Sequence, residues 1–72
     1  MSSKDVLDSR SLAAFLSSMA GIMNKGDKIE VIVYSKDIES CPEIAMNHDF
    51  AIVDGDEIGE NKVKLVLEFK GR

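Results

Sequence analysis

SRSLAAFLSSMAGIMNKGDKIEVIVY, residues 9–34, is the stretch whose reading decides the fold. Its first half places Leu12, Phe15, Leu16, Met19, Ile22 and Met23 at the i, i+3, i+4, i+7 spacing that gathers apolar side chains onto one face of an α-helix. Gly26, inside Lys25-Gly26-Asp27, follows the last periodic position, where a helix stop calls for a residue that tolerates positive φ. From Lys28 the rhythm changes to period two and β-branched residues dominate. Ile29, Val31 and Val33 then share one face of a strand, and Glu30, Ile32 and Tyr34 the other. A helix ending near Asn24 and a strand over 28–34 are expected, and their apolar sides can be buried only against each other.

Working outward, residues 4–7 read as a short strand whose apolar content is Val6 and Leu7. Asp8, Ser9 and Ser11 can each accept from the first free N–H groups of the helix, and the cap is placed at Ser9 or Ser11. On the other side, Ser35-Lys36-Asp37 reads as a turn. Ser40-Cys41-Pro42-Glu43 then fits the S-x-x-E capping box, with Pro42 in the first turn, where a missing N–H costs nothing. This second helix runs to about Asn47, with Ile44 as its buried residue and Met46 as a second candidate. Phe50-Ala51-Ile52-Val53 is a third strand. Asp54-Gly55 and Ile58-Gly59-Glu60-Asn61 form a polar hairpin connection. The last strand, 63–69, alternates Val63, Leu65, Leu67 and Phe69 inward with Lys62, Lys64 and Glu68 outward. The order β-α-β-α-β-β predicts an α/β (α+β) two-layer sandwich, a four-stranded mixed sheet with two helices on one face, given right-handed crossovers.

Composition narrows the function classes. Seventy-two residues make one domain, 1–72, in which only about 60% of the unfolded surface is buried. An apolar share of 44% without tryptophan supplies one modest core of Leu, Ile, Val, Met and Phe. No apolar run approaches the roughly 20 residues that span a bilayer, and the opening residues lack the apolar core of a signal peptide, so no membrane association is expected. One cysteine excludes an internal disulfide and a cysteine zinc cage, which fits a reducing cytoplasm. A net charge of −4, with acids spread along the chain, opposes nucleic-acid binding, because phosphate contacts need clustered Lys and Arg.

Three stretches carry a resemblance to a known family. Leu7-Asp8-Ser9-Arg10-Ser11-Leu12 is similar to an opening L-D-x-x-G-L. Met23-Asn24-Lys25-Gly26-Asp27-Lys28-Ile29-Glu30-Val31-Ile32-Val33 is similar to a helix end and second strand of the form l-x-x-G-e-x-l-e-v-i-v. Asn47-His48-Asp49-Phe50 and Val63-Lys64-Leu65-Val66-Leu67-Glu68-Phe69-Lys70-Gly71 are similar to G-H-e-l and r-f-l-I-k-k-g. These patterns resemble the TusA/SirA-like sulfur carriers, whose Cys-Pro-x-Pro motif at the start of the first helix carries a persulfide between enzymes. Counting forward from Leu7-Asp8 puts Ala14 and Phe15 at the Cys-Pro positions, and counting back from Gly26 puts Ser9 and Arg10 there. Neither count meets a thiol, and a hydroxyl cannot form a persulfide.

The one thiol is Cys41, in Cys41-Pro42-Glu43-Ile44, which looks like the family motif moved to the second helix. A cysteine in a first turn faces free N–H groups and the positive end of the helix dipole, which favour thiolate. Asp37, Glu39 and Glu43 oppose that by raising the thiol pKa. Cys41 is thus either the catalytic thiol or a small residue packed beside Ser40. His48 has no second histidine near it and reads as a solvated turn residue rather than a metal ligand. Asp54, Asp56, Glu57 and Glu60 lack the D-x-[DN]-x-[DN]-G calcium-loop pattern and read as a solvated loop. No metal or cofactor is expected.

Ala13, Ala14, Ser17, Gly21 and Asn24 give the outer side of the first helix a small, neutral face with no charge between Arg10 and Lys25. Either this is an ordinary helix surface or it lets another backbone approach closely, as a contact for a protein partner or a second copy. The open side of the sheet, with Ile32, Tyr34 and Val66 among Glu30, Lys62, Lys64 and Glu68, is another contact candidate. The resemblance implies a cysteine desulfurase or a downstream sulfur acceptor as partner. The leading expectation is a non-catalytic protein-binding or accessory factor linked to sulfur transfer. The alternatives are a persulfide carrier or sulfurtransferase using Cys41, and a ferredoxin-like interaction module unrelated to sulfur.

Overall fold

A computed structural model describes residues 6–71. Its elements are β1 (Val6–Leu7), α1 (Ser9–Ala20), β2 (Lys28–Tyr34), α2 (Cys41–Asn47), β3 (Phe50–Gly59) and β4 (Lys62–Phe69), with a 3-10 turn at Ser35–Asp37. The sheet order is β1-β2-β4-β3. β1 pairs parallel with β2, and the other two pairings are antiparallel. This is the expected small α+β sandwich, a four-stranded mixed sheet with two helices. Lys4 and Asp5, which the expected first strand included, lie outside the described residues.

Registry explains the single core. Ile29 faces Leu67, Val31 faces Leu65 and Val33 faces Val63 across β2 and β4, so the apolar alternations of the two strands meet on one side. Leu12 and Leu16 of α1 and Cys41 and Ala45 of α2 close that side, all at most 1% exposed. The Phe50 and Phe69 rings, tilted with centroids 5.1 Å apart, tie the start of β3 to the end of β4. The opposite side is bare: Tyr34 faces Lys62, Ile32 faces Lys64, Glu30 faces Val66 and Lys28 faces Glu68.

Helix α1 departs from expectation at both ends. Its cap is Asp8, whose Oδ1 accepts from the Ser11 N–H at 2.8 Å, rather than Ser9 or Ser11. It stops at Ala20, about a turn before Asn24. The Gly21 N–H still reaches the Ser18 carbonyl, but the chain then enters a local structure of its own. The Asn24 N–H donates to Asp27 Oδ2 at 2.9 Å, and the Asp27 N–H returns to the Asn24 carbonyl at 2.9 Å. Short polar side chains that satisfy the backbone this way compete with helix continuation. Met23 still packs on the core from this loop, whereas Ile22 is 75% exposed and leaves the apolar face. Gly26 has φ +96 as expected of a stop, but it belongs to this turn, donating its N–H to the Phe69 carbonyl at 2.8 Å.

The longest departure is β3, which runs from Phe50 to Gly59 instead of ending at Val53. Asp54-Gly55 is strand and not part of a hairpin connection. The two register shifts, between Ile52 and Asp54 and between Glu57 and Gly59, absorb Val53 and Ile58 as extra residues. Bulges break the period-two pattern, which hides a strand from a search for alternation. The hairpin itself is only Glu60-Asn61, with Asn61 at φ 62. Helix α2 ends where Asp49 takes φ 67, a left-handed turn into β3.

Candidate functional site

The parallel pairing of β1 and β2 makes both strands end on one side of the molecule, so α1 and the 3-10 turn leading to α2 begin there together. Asp8, Tyr34, Lys36 and the Glu60-Asn61 hairpin gather at this end. The Ser35 N–H donates to the Asn61 carbonyl at 2.8 Å and fixes the turn against the hairpin. Lys36 lies 5.4 Å over the Tyr34 ring and 3.2 Å from Asp37 Oδ2. A groove of about 490 Å³ is lined by Tyr34, Lys36, Glu60, Asn61 and Lys62. The Asp8 carboxyl sits below its usual range, mainly because the Ser11 backbone and side chain donate to it, with Lys36 and Arg10 adding charge.

Cys41 opens α2, which follows the 3-10 turn, and its surroundings are closed. It is 1% exposed. Its Sγ lies 3.3 Å from the Asp37 carbonyl oxygen, positioned to donate as a thiol. Its own N–H already donates to the Ile38 carbonyl at 3.2 Å, so the free donors that would favour a thiolate are reduced. Burial first, and the Asp37 charge second, push the thiol pKa up. Of the acids weighed from the sequence, Asp37 is thus the one whose charge acts on the thiol. Such a group is held protonated and is a weak nucleophile.

The capping box expected around it does not form. Ser40 has helical angles, φ −85 and ψ −18, and its side chain makes no capping bond. The preceding residues already coil into the helix, with the Ser40 N–H on the Asp37 carbonyl at 3.1 Å, so an extended cap residue has no place. Pro42 does stand in the first turn. The buried residues of α2 are Cys41 and Ala45, not Ile44 and Met46. Ile44 is half-buried against the core and Met46 is 72% exposed. Cys41 and Ala45 lie four residues apart, so the small pair faces inward and the larger side chains turn to the rim.

The proposed contact face is divided by the early end of α1. Ala13, Ala14 and Ser17 lie on the helix, with Ala13 half-buried and Ala14 and Ser17 exposed. Gly21 is the cap just beyond it and exposed, and Asn24 belongs to the following turn. His48 is the half-buried cap of α2. Asp54, Asp56, Glu57 and Glu60 are exposed, the first three within β3. Among the described residues, no group of three or more His, Cys, Asp or Glu side chains is placed to hold a metal ion, and no helix is long and apolar enough to cross a membrane.

Sequence reasoning missed one feature. Between α2 and the outer edge of β3 runs a groove of about 440 Å³, lined by Pro42, Met46, Phe50, Ala51 and Ile52. The sequence carries no signal for it, because packing is what turns Cys41 and Ala45 inward and leaves Met46 exposed. No family model, no curated protein and no solved structure matches this chain.

Proposed function

We propose that this chain is a small cytoplasmic protein-binding or accessory domain linked to sulfur transfer, working without covalent turnover of its own. The link to sulfur rests on the TusA/SirA-like likeness of its opening, second strand and closing strand. The accessory part rests on one observation above all. The only thiol in the chain, Cys41, is 1% exposed, donates to the Asp37 carbonyl and is pushed toward the protonated form. A carrier thiol must reach a partner's sulfur as thiolate, and this one meets neither condition. The exposed small side chains of Ala14 and Ser17, with Gly21 beyond them, support a protein contact on α1.

Intact-mass spectrometry after incubation with a cysteine desulfurase and cysteine tests the reading. The mass is expected to stay unchanged. A gain of one sulfur atom that disappears in Cys41→Ala would overturn the accessory role and make the chain a carrier. A pull-down from the native cell tests the sulfur link: recovery of a desulfurase or sulfur acceptor supports it, and recovery of partners outside sulfur transfer refutes it.

A further inference from the structure

β3 is an edge strand, and its first residues leave backbone groups without a strand beside them. Phe69 uses its N–H and carbonyl on the β2 side, with Asp27 and Gly26, so its register partner Phe50 directs both backbone groups away from β4. The same alternation turns the N–H and carbonyl of Ile52, and beyond the first bulge those of Gly55 and Glu57, to the outer side, where the Gly55 N–H is already taken by Asp54 Oδ1 at 2.9 Å. Proteins usually blunt such an edge with charges, proline, bulges or a covering element, and β3 places its bulges and carboxylates from Val53 onward, which leaves Phe50–Ile52 as its unblunted part. From Phe50 to Gly59 this strand has no lysine, arginine or proline. Of the five large apolar side chains left exposed among the described residues, Met46, Val53 and Ile58 lie on or beside it.

The charge says what fits. In register, Lys64 stands across from Asp56, but Asp54 faces Val66 and Glu57 faces Val63, so neither of those carboxylates has a cation opposite it on β4. A second copy paired edge to edge through β3 would set acids against acids, which is unfavourable. A strand with apolar residues on one side and Lys or Arg on the other suits both halves of the surface. Its apolar side chains enter the groove beneath Met46 and Pro42, and its cations reach Asp54 and Asp56, which share the bare side of the sheet.

We propose that the β3 edge and the α2–β3 groove bind an extended, basic segment of a partner protein by strand addition. The inference shares the protein-binding part of the reading above but not its link to sulfur, and its test does not involve Cys41.

The probe is a fluorescent octapeptide of alternating valine and lysine, with an alternating valine and glutamate octapeptide as the control. The lysine peptide is expected to bind, with affinity falling as salt rises, and the glutamate peptide is not. Binding should slow amide hydrogen exchange at Phe50 and Ile52. Met46→Ser and Asp54→Lys alter exposed side chains and should leave thermal unfolding nearly unchanged, while each weakens binding by about tenfold or more, on the order of a lost apolar contact or charge pair. Absence of binding overturns the proposal, and so does equal binding of both peptides. Protection at β1 in place of β3, or a dimer joined through β3, overturns it as well. None of these outcomes bears on whether Cys41 takes up sulfur or on which proteins a pull-down recovers.

Discussion

If Cys41 is closed by the fold, its reaction with a disulfide reagent must wait for the fold to open. The perturbation is addition of a small aromatic disulfide to the native protein at pH 7, followed by the same reaction in denaturant. Two factors slow the native reaction. With its pKa raised by burial and by the Asp37 charge, the folded thiol is held protonated at this pH. At 1% exposure, the sulfur is reached only through opening of the α2 first turn or of the whole domain. A domain of 72 residues has a stability of roughly 4–11 kcal/mol at typical values per residue. Taking about 5 kcal/mol for the opening gives a native rate roughly 10³–10⁴ times below that of the unfolded chain. Stopped-flow absorbance in urea and manual mixing in buffer cover that range. A native rate within about tenfold of the unfolded one would refute the reasoning. It would mean that the first turn of α2 opens freely, and it would return Cys41 to candidacy as a carrier thiol. The pH dependence gives a second check on the same group. A thiol pKa raised by folding contributes stability that is fully present below the unfolded value, near 8.5, and is lost as pH rises through the folded value. Stability should therefore fall more steeply above about pH 8.5 in the native sequence than in Cys41→Ala.

Leu67→Ala, at a side chain that is 0% exposed between β2 and β3, should cost about 3 kcal/mol and lower the melting temperature by roughly 12–24 °C in calorimetry. Gly26→Ala meets no atom within 4 Å, yet its φ of +96 makes any side chain strained, so denaturant titration should show a loss of about 1–2 kcal/mol from conformation alone. Asp8 has its pKa lowered by folding, so its contribution is present above the unfolded value, near 3.9, and is lost as pH falls through the folded value. Asp8→Asn keeps the capping oxygen and removes that titration, so acid unfolding of the variant should depend less on pH below about 4. Ser17→Glu on exposed α1 should leave folding intact, and if the chain self-associates through this face its solution mass should drop to that of a monomer.

The strands and their inward faces follow from the sequence, because β2 and β4 each alternate and need a helix layer to cover the apolar side, whereas their being neighbours in the order β1-β2-β4-β3 is seen only in the structure. Val31 opposite Leu65 and Val33 opposite Val63 bring the two inward faces together. The apolar stripe of α1 through Leu12, Phe15, Leu16 and Met19 is legible in the sequence in the same way. Where the chain decides between local options of similar energy, periodicity is silent. The end of α1 depends on the Asn24–Asp27 hydrogen bonds and on Gly26 meeting Phe69, a residue more than forty positions away. The length of β3 depends on two bulges that only its partner strand reveals.

For the candidate site the division is sharper. That the chain holds one thiol, placed where no Cys-Pro-x-Pro motif is expected, is a property of the residues alone. Whether that thiol is available is not, since a first-turn cysteine is reactive when it faces solvent and inert when it faces a core. Tertiary packing turned Cys41 and Ala45 inward, which left Met46 outside beside the free edge of β3. Periodicity determines which side chains share a face, but the closing of one face on another determines which of them water and partners can touch.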